Sequence, residues 1–422
     1  MASTASPRTK ILVVGGSYGG LSASLNLLDL CHGKNARSSP VKPPDQTDKP
    51  KLPVEITIVD ERDGFFHTIG APLALASEEY AAKAWIKAAN IPALRHPDIS
   101  WVHGSVTSID TSKHTASITR IDTSEPEQHR YDYLIAASGL RRVWPTVPQS
   151  LTKKSYILEA ERHIDAVKDA HSGVVVVGGG AVGVEMAAEL KVAQPQLKVT
   201  LIHSRDKLLS NEPLPDELKD KTCDLLKEGG VEVVLGRRVV HVEPITKPDG
   251  KKCNELELSD GTRMRACQII SAISKPVPTT TYLPLECLNT DGLVKVNNKL
   301  QFSASDANHN YHYAIGDMVA RSGIKRCGGA IYGAVIAATN VYQQMLNEQD
   351  PEGRAPKFEE MPEAPPMIAL AVGKKAIAYH PAEGVKYGAD VMQHFFQDDL
   401  ALIWFCTQLD LGIKPSETAE VK

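Results

Sequence analysis

Residues 174–190 read VVVVGGGAVGVEMAAEL, and residues 11–28, ILVVGGSYGGLSASLNLL, have almost the same shape. Four consecutive valines, Val174 to Val177, suit a strand buried on both faces, as in a parallel sheet. Gly178, Gly180 and Gly183 let the chain turn sharply and approach a pyrophosphate. Met186, Ala187, Ala188 and Leu190 then give a segment of helical composition. The N-terminal N–H groups and dipole of such a helix attract phosphate charge. A glycine pattern alone is common, but strand, glycines and helix in that order point to a dinucleotide-binding unit. The first copy runs Gly15-Gly16-Ser17-Tyr18-Gly19-Gly20, so Ser17 takes the place of the middle glycine. Serine is small enough for close approach, and its hydroxyl could itself meet a phosphate. The competing reading of either copy is an ordinary strand-to-helix turn of an α/β domain.

A chain of 422 residues has room for two or three domains with sizeable cores. Its 42% hydrophobic and 23% charged residues are those of a soluble globular protein. With 47 basic against 51 acidic residues, no general attraction to nucleic acid or an anionic membrane is expected. No apolar run reaches about 18 residues, so no transmembrane segment is expected. The start, MASTASPRTK, lacks the apolar core of a signal peptide, and position 2 is Ala where N-myristoylation needs Gly. A cytoplasmic location is expected by default. Cysteines at 31, 223, 253, 267, 287, 327 and 406 form no CxxC or other close pair. Reduced, separate thiols are therefore expected, with no metal site and no dithiol.

Strands alternate with helices along both halves, which predicts an α/β fold of two doubly wound, Rossmann-like units. The segment 31–53 is rich in proline and charge and reads as a long exposed loop. A helix is predicted around 77–90, a hairpin turning at Asp260-Gly261, and a long helix over about 329–346. A proline-rich linker (350–366) precedes a tail with a second hairpin, MIALAV-GKK-AIAYH, and ALIWF (401–405) as a further strand.

A dinucleotide site usually ends its second strand with an acid that binds the adenosine ribose. VEITIVDER supplies Asp60 and Glu61, separated from the first glycines by the proline-rich insertion. In the second unit, LIHSRD places His203, Ser204 and Arg205 at that point, with no acid at the strand end. Arg205 suits a 2′-phosphate, which tilts the reading toward NADPH or tolerance of both nucleotides. A solvent-facing arginine with no ligand is the alternative.

With these motifs, and with YAIGD at 313–317, the chain resembles the pyridine nucleotide–disulfide oxidoreductase superfamily, in its apoptosis-inducing-factor-like branch. The resemblance covers nearly the whole chain. It implies FAD in the first unit and NADPH or NADH in the second, with the second unit inserted into the first. The implied domains are 8–145 with 285–350 for FAD, 146–284 for NAD(P)H, and a small β-containing C-terminal region at 351–422. It further implies that Asp317 of Gly316-Asp317 meets the ribitol chain, and that a helix starting near Gly328, Gly329 and Ala330 points at the flavin pyrimidine. The joining segments that are Ala-Thr-Gly in the family stand here as Ala137-Ser138-Gly139 and Ala272-Ile273-Ser274; the second departs from the pattern.

Glu185, in the first turn of the second helix, would by resemblance sit near nicotinamide and flavin. A carboxylate that merely complements the helix dipole fits the same position. Disulfide-reducing relatives carry a cysteine pair where this chain has GFFHTIGAP (64–72), so disulfide reductase activity is not expected. His67 in that segment is a candidate to line the acceptor face and protonate a reduced quinone, or else a packed histidine. Phe395, Phe396, Trp404 and Phe405 are candidates for the wall of a quinone channel, or else core. The implied activity is an FAD-dependent NAD(P)H oxidoreductase with a quinone or specialised metabolite as acceptor. A tailoring flavoenzyme of secondary metabolism and a redox-sensing interaction protein with little turnover are the alternatives.

Overall fold

The computed structural model describes residues 8–38, 49–123, 125–248, 250–273, 276–303, 309–352 and 355–413. Part of the proline-rich insertion (39–48) and Ser274 lie outside them.

The first unit starts with β1 (Thr9–Val14), α1 (Tyr18–Cys31) and β2 (Val54–Asp60), followed by β3 (Ile99–Asp110), β4 (Thr115–Arg120), β5 (Pro126–Arg130) and β6 (Tyr133–Ala136). The helix α2 (Lys153–Lys168) leads to the second unit: β7 (Val174–Val177), α3 (Ala181–Ala193), β8 (Val199–Ile202), α4 (Asp216–Glu228) and β9 (Glu232–Val234). Three short strands, β10 (Val239–Thr246), β11 (Lys252–Leu258) and β12 (Arg263–Ala266), precede β13 (Gln268–Ser271). The chain then returns to the first unit through β14 (His312–Ala314) and α5 (Cys327–Gln349). The tail holds β15 (Ile368–Val372), β16 (Lys375–His380), β17 (Gly384–Gly388), α6 (Ala389–Phe395) and α7 (Leu402–Gln408).

Two parallel-rich sheets result. The first runs β14-β6-β1-β2-β3-β4-β5, parallel from β14 to β3 and antiparallel beyond; the second runs β9-β8-β7-β13, all parallel. The strands of the second sheet come from chain between β6 and β14, so the α/β fold of two doubly wound units, one within the other, is as the motifs imply. The valine run behaves as a two-faced strand should: Val174, Val175 and Val176 are at most 1% exposed. Helix α1 is buried along its whole length because α5 packs against it.

The two glycine turns close by the same contact. A Cβ at Gly20 would stand 1.7 Å from the carbonyl oxygen of Gly15, and one at Gly183 would stand 1.8 Å from that of Gly178. No side chain fits either place, so each helix starts directly against its strand.

Several elements differ from the sequence reading. ALIWF is helical, not a strand: Leu402, Phe405, Cys406 and Leu409 are buried at spacings of one helical face, a period that five residues are too few to display. The helix expected over 77–90 covers only Glu78–Ala84, because Trp85–Lys87 pairs antiparallel with Gly64–Phe66. Burial of Trp85 favours that switch: its ring stacks on Tyr156 at 5.2 Å and its Nε1–H donates to Asp63 at 2.7 Å. The cysteines are not all separate thiols either. Cys253 and Cys267, fourteen residues apart, meet across the β11–β12 register and form a disulfide. The tail hairpin is present and gains a third strand, β17.

Replacing Gly183 with Ala forces a methyl into a backbone carbonyl, and overpacking of that kind costs about 1–3 kcal/mol or more. Gly180 has φ −76° and no atom within 4 Å of its added Cβ. A lowered melting temperature is expected for Gly183→Ala and an unchanged one for Gly180→Ala, both read by differential scanning fluorimetry.

Candidate functional site

One large cavity, about 1880 Å³, is walled by all three parts of the chain. The second unit contributes the turn Gly178–Val182, Glu185 and the end of β8. Tyr18, Ile69 and the start of α5 (Cys327, Gly328) come from the first unit, and Phe395, Phe396, Trp404 and Phe405 from the tail. The volume exceeds the ~300–1,000 Å³ common for small-molecule pockets.

The second turn opens straight into this space. Gly178 has φ +116°, available to glycine, and its would-be Cβ meets the Ala272 carbonyl at 3.0 Å. Gly180 faces open volume. His203 closes the side: the Gly179 N–H donates to its Nδ1 at 3.1 Å, so its Nε2 carries the proton and donates to Ser210 at 3.0 Å. Burial holds the His203 pKa below the usual range. Arg205 and Arg238 are exposed on the rim, while Arg237 is paired with Asp260. The backbone bond from Arg237 N to His203 O at 3.1 Å brings the two arginine-bearing segments side by side. Arg238 carries no sequence motif and was not anticipated.

In the first turn, only Tyr18 reaches the cavity; Gly15, Gly16, Ser17, Gly19 and Gly20 do not line it. They form a backbone cradle of the same build, with Gly15 at φ +103° and its would-be Cβ 2.5 Å from Ala137 O. The Asp60 carboxylate accepts from Gly16 N at 2.6 Å and from Arg62 N at 2.7 Å, one bond per oxygen, which leaves a lone pair on each. This geometry and the paired closures fit a dinucleotide in each unit. Glu61 is instead engaged by Arg141 at 2.8 Å. Ser138 is also committed to protein, its hydroxyl donating to Thr279 O at 2.7 Å and meeting Tyr282 at 3.0 Å, while Gly139 faces open space. Asp317 is ion-paired with Arg142, a cavity residue, at 3.5 Å. Gly316 packs against Ala330, its would-be Cβ 3.4 Å away, and Gly329 follows Gly328 in the first turn of α5.

Glu185 stands on the cavity wall, half-buried. Burial, then the like charge of Glu189, pushes its pKa up to about 8, and a bond from Ala371 N–H offsets part of this. Glu189, one turn along α3, is 3% exposed with Oε1 unpartnered, and burial raises it to about 8 as well. Both carboxyls are therefore largely protonated at neutral pH. The i, i+4 spacing was the available signal for Glu189.

His67 does not line the cavity and packs as the alternative reading has it. It is fully buried, away from the cavity, with Nε2–H donating to Leu400 O at 2.9 Å and Nδ1 accepting from the Tyr18 hydroxyl at 3.1 Å. Burial lowers its pKa to about 4, so it is neutral. The tail aromatics do reach the cavity: Phe395 and Trp404 are 45% and 42% exposed, whereas Phe396 and Phe405 are buried.

The family described as pyridine nucleotide-disulphide oxidoreductase matches residues 9–334. The chain is 49% identical over 420 residues to "Oxidoreductase OXR1" of Ajellomyces capsulatus, covering 98% of this chain and 90% of the relative. "Ferroptosis suppressor protein 1" of Mus musculus is 26% identical over 339 residues, 79% of this chain and 80% of its own. Among solved structures, NDH2 from Plasmodium falciparum in complex with NADH is similar with a TM-score of 0.67, at 14% identity over 96% of this chain and 97% of that one.

The two raised carboxyls set a pH dependence of stability. Each is protonated in the folded chain up to about pH 8 and only to about pH 4.5 when unfolded. The unfolded state thus binds fewer protons between these values, and stability falls as pH rises through that window. Glu189→Gln is expected to stabilise the fold at pH 8.5 by roughly a few kcal/mol, read as a raised melting temperature, and to change little at pH 4.5. Melting curves of both proteins at the two pH values check this.

Proposed function

The chain belongs to the pyridine nucleotide-disulphide oxidoreductase family, in its apoptosis-inducing-factor-like branch, and from that premise we propose that it takes hydride from NAD(P)H onto FAD and passes the electrons to a quinone or a similar small-molecule acceptor. The observation that carries this reading is a single cavity walled at once by the second glycine turn, by the start of α5 and by the tail aromatics. FAD would supply the two-electron acceptor chemistry from the first cradle.

The chain's own residues bind, orient and hold protons. Asp60 offers its remaining lone pairs to an adenosine ribose, and the N-terminus of α1 faces a pyrophosphate. Gly15, Gly16, Ser17, Gly19 and Gly20 keep that approach free of bulk. The α5 terminus at Gly328 and Gly329, with the Ala330 N–H behind them bonded to Arg326 O at 3.3 Å, turns its first-turn N–H groups to the flavin ring. Gly316, with Asp317 in its ion pair to Arg142, forms the turn packed on that terminus. Gly178, Gly180 and Gly183 present the second helix to the nicotinamide nucleotide, and Arg205 with Arg238 offers two guanidinium groups to a 2′-phosphate. The neutral Glu185 carboxyl holds a proton on the cavity wall, where it can pass to an acceptor oxygen. His67 acts through Tyr18, as a positioning residue. Phe395 and Trp404 give the mouth an apolar, aromatic face suited to a quinone-like ring. Against disulfide reduction, the segment 64–72 has no cysteine pair, and neither Cys253 nor Cys267 lines the cavity.

The test is anaerobic stopped-flow on the purified protein. Its yellow absorbance is expected to bleach with NADPH and return with a soluble quinone. A protein without flavin, or flavin that NAD(P)H leaves oxidised, would overturn the reading. Reoxidation only by a bulky specific metabolite would favour the tailoring enzyme, and negligible turnover the sensing role. Gly180→Val places a branched side chain in the open volume, so KM for NAD(P)H is expected to rise at least about tenfold, ~1.4 kcal/mol, with flavin content unchanged. Arg205→Asp is expected to lower kcat/KM for NADPH by a similar factor and to spare NADH. Acceptor turnover should fall above pH ~8 as Glu185 loses its proton, and Glu185→Gln should lose that limb of the profile.

A further inference from the structure

Beside the base of the second sheet, away from the cavity, three ligating atoms converge. The β11–β12 register pairs Asn254 with Ala266, so Cys253 and Cys267 stand directly opposite, with Cα atoms 4.1 Å apart. His171, in the loop leading into β7, lies over both sulfurs: its Nε2 is 3.7 Å from Cys253 Sγ and 3.6 Å from Cys267 Sγ. The other ring nitrogen settles the tautomer. Nδ1 lies 3.0 Å from the carbonyl oxygen of Asp169, which can only accept, so Nδ1 carries the proton. The lone pair of Nε2 is left free, and the ring lies close to both sulfurs, its Nδ1 also 3.7 Å from Cys267 Sγ. Histidines that ligate metals are held in this way, by a hydrogen bond from the second ring nitrogen to a carbonyl or carboxylate.

We propose that Cys253, Cys267 and His171 form a binding site for a thiophilic divalent cation, Zn²⁺ being the best fit, available when the cysteine pair is reduced and closed by the disulfide. Two sulfurs and one imidazole nitrogen within 4.8 Å of one another match a three-ligand zinc set at about 2.3 Å for Zn–S and 2.0 Å for Zn–N. His171 is exposed and Cys267 half-buried, which leaves an entry path and a fourth position for water. Cys253 is buried at 3% exposure, so one ligand is fixed in the sheet. The Ser172 N–H donates to Cys267 Sγ at 3.3 Å and so holds the His171 loop against that sulfur. Lys247, bonded to Ser172, is the nearby cation. Two thiolates and Zn²⁺ sum to zero charge, so the site adds no net charge beside that lysine.

The chemistry balances with a dithiol reductant. The S–S bond of Cys253–Cys267 takes two electrons and two protons from the dithiol, which leaves as its own disulfide. Zn²⁺ then displaces the two thiol protons to solvent as two Zn–S bonds form. The metal would tie the loop before β7 to the β11–β12 edge, at the end of β7 remote from the glycine turn.

The experiment uses the full-length flavin-loaded protein, reduced with dithiothreitol, freed of it anaerobically, and confirmed under denaturing conditions to expose all seven thiols where the oxidised protein exposes five. Titration with Zn²⁺ against a chromogenic chelator is expected to give one tightly held ion per reduced chain and none per oxidised chain. Co²⁺ in its place should give the charge-transfer band of thiolate ligation. His171→Ala, a surface change that leaves folding intact, should weaken Zn²⁺ binding at least tenfold, and Cys267→Ser should abolish the thiolate band. A reduced chain with all thiols free that takes up no Zn²⁺, or uptake that neither substitution alters, would overturn the site. Flavin bleaching by NADPH is recorded on the same samples, so failure here is separable from failure of the oxidoreductase reading.

Discussion

Two backbone carbonyls, those of Gly15 and Gly178, set the rest of the structure. Each is covered by a glycine five residues on, at a distance that leaves no room for any side-chain atom. With that contact made, the helix begins against the end of its own strand, and its unpaired N–H groups collect at the carboxyl edge of the sheet. The flanking strands are parallel in both units: β2 and β6 beside β1, β8 and β13 beside β7. The crossing segments Ala137 and Ala272 then lie against Gly15 and Gly178. A short antiparallel pair, Leu140–Arg141 with Val277–Pro278, ties the two crossings together. The repetition is therefore of a backbone constraint, and the different side chains of the two copies are free to differ in function.

The charge pattern of the cavity follows from burial. Buried groups on and behind its wall are pushed toward the neutral form: Glu185 and, one turn behind it, Glu189 by raised pKa values, His203 and, behind Tyr18, His67 by lowered ones. Desolvation disfavours the charged form of each, so the sign of the shift depends only on the type of group. Charges that persist include Arg205 and Arg238 in solvent, Arg142 against Asp317, and the half-buried Arg326 on the cavity wall.

Much of this was legible from local pattern. The valine runs, the glycine spacings and Asp60 are short-range signals, and each needs only its neighbours to be read. The two-sheet fold follows from them, as does the tail hairpin. What was hidden depends on contacts between distant segments. ALIWF is too short to show a helical period before Leu409 is counted with it. Cys253 and Cys267 are separated by a turn, and only the β11–β12 register brings them together. Arg238 follows a β-strand with no motif, and it matters because a backbone bond draws its neighbour Arg237 toward His203. For His67 the sequence left a cavity-lining and a packed histidine both open, because a position borrowed from relatives with a cysteine pair says nothing of where a different side chain packs here.

The burial of His67 has its own structural purpose. Leu400 and Ala401 both adopt left-handed backbone, φ +54° and +67°, a conformation that costs a non-glycine residue about 1–2 kcal/mol each. Such strain persists only where surrounding contacts over-determine it. His67 supplies one, through Nε2–H to Leu400 O, and Tyr80 supplies another, its hydroxyl donating to Asp399 O at 2.7 Å. The bend directs α7 so that Phe405 stacks on Phe65 at 4.9 Å and meets Tyr18 edge-on at 4.9 Å. Tyr18 is in turn the residue of the first glycine motif that reaches the cavity, and its hydroxyl closes the loop back to His67. The aromatic mouth at Trp404 is thus fixed to the first nucleotide turn through a chain of direct contacts. A neutral histidine serves there better than a charged one, because Nδ1 must accept from Tyr18 while Nε2–H donates to Leu400, and a protonated ring has no lone pair to accept with.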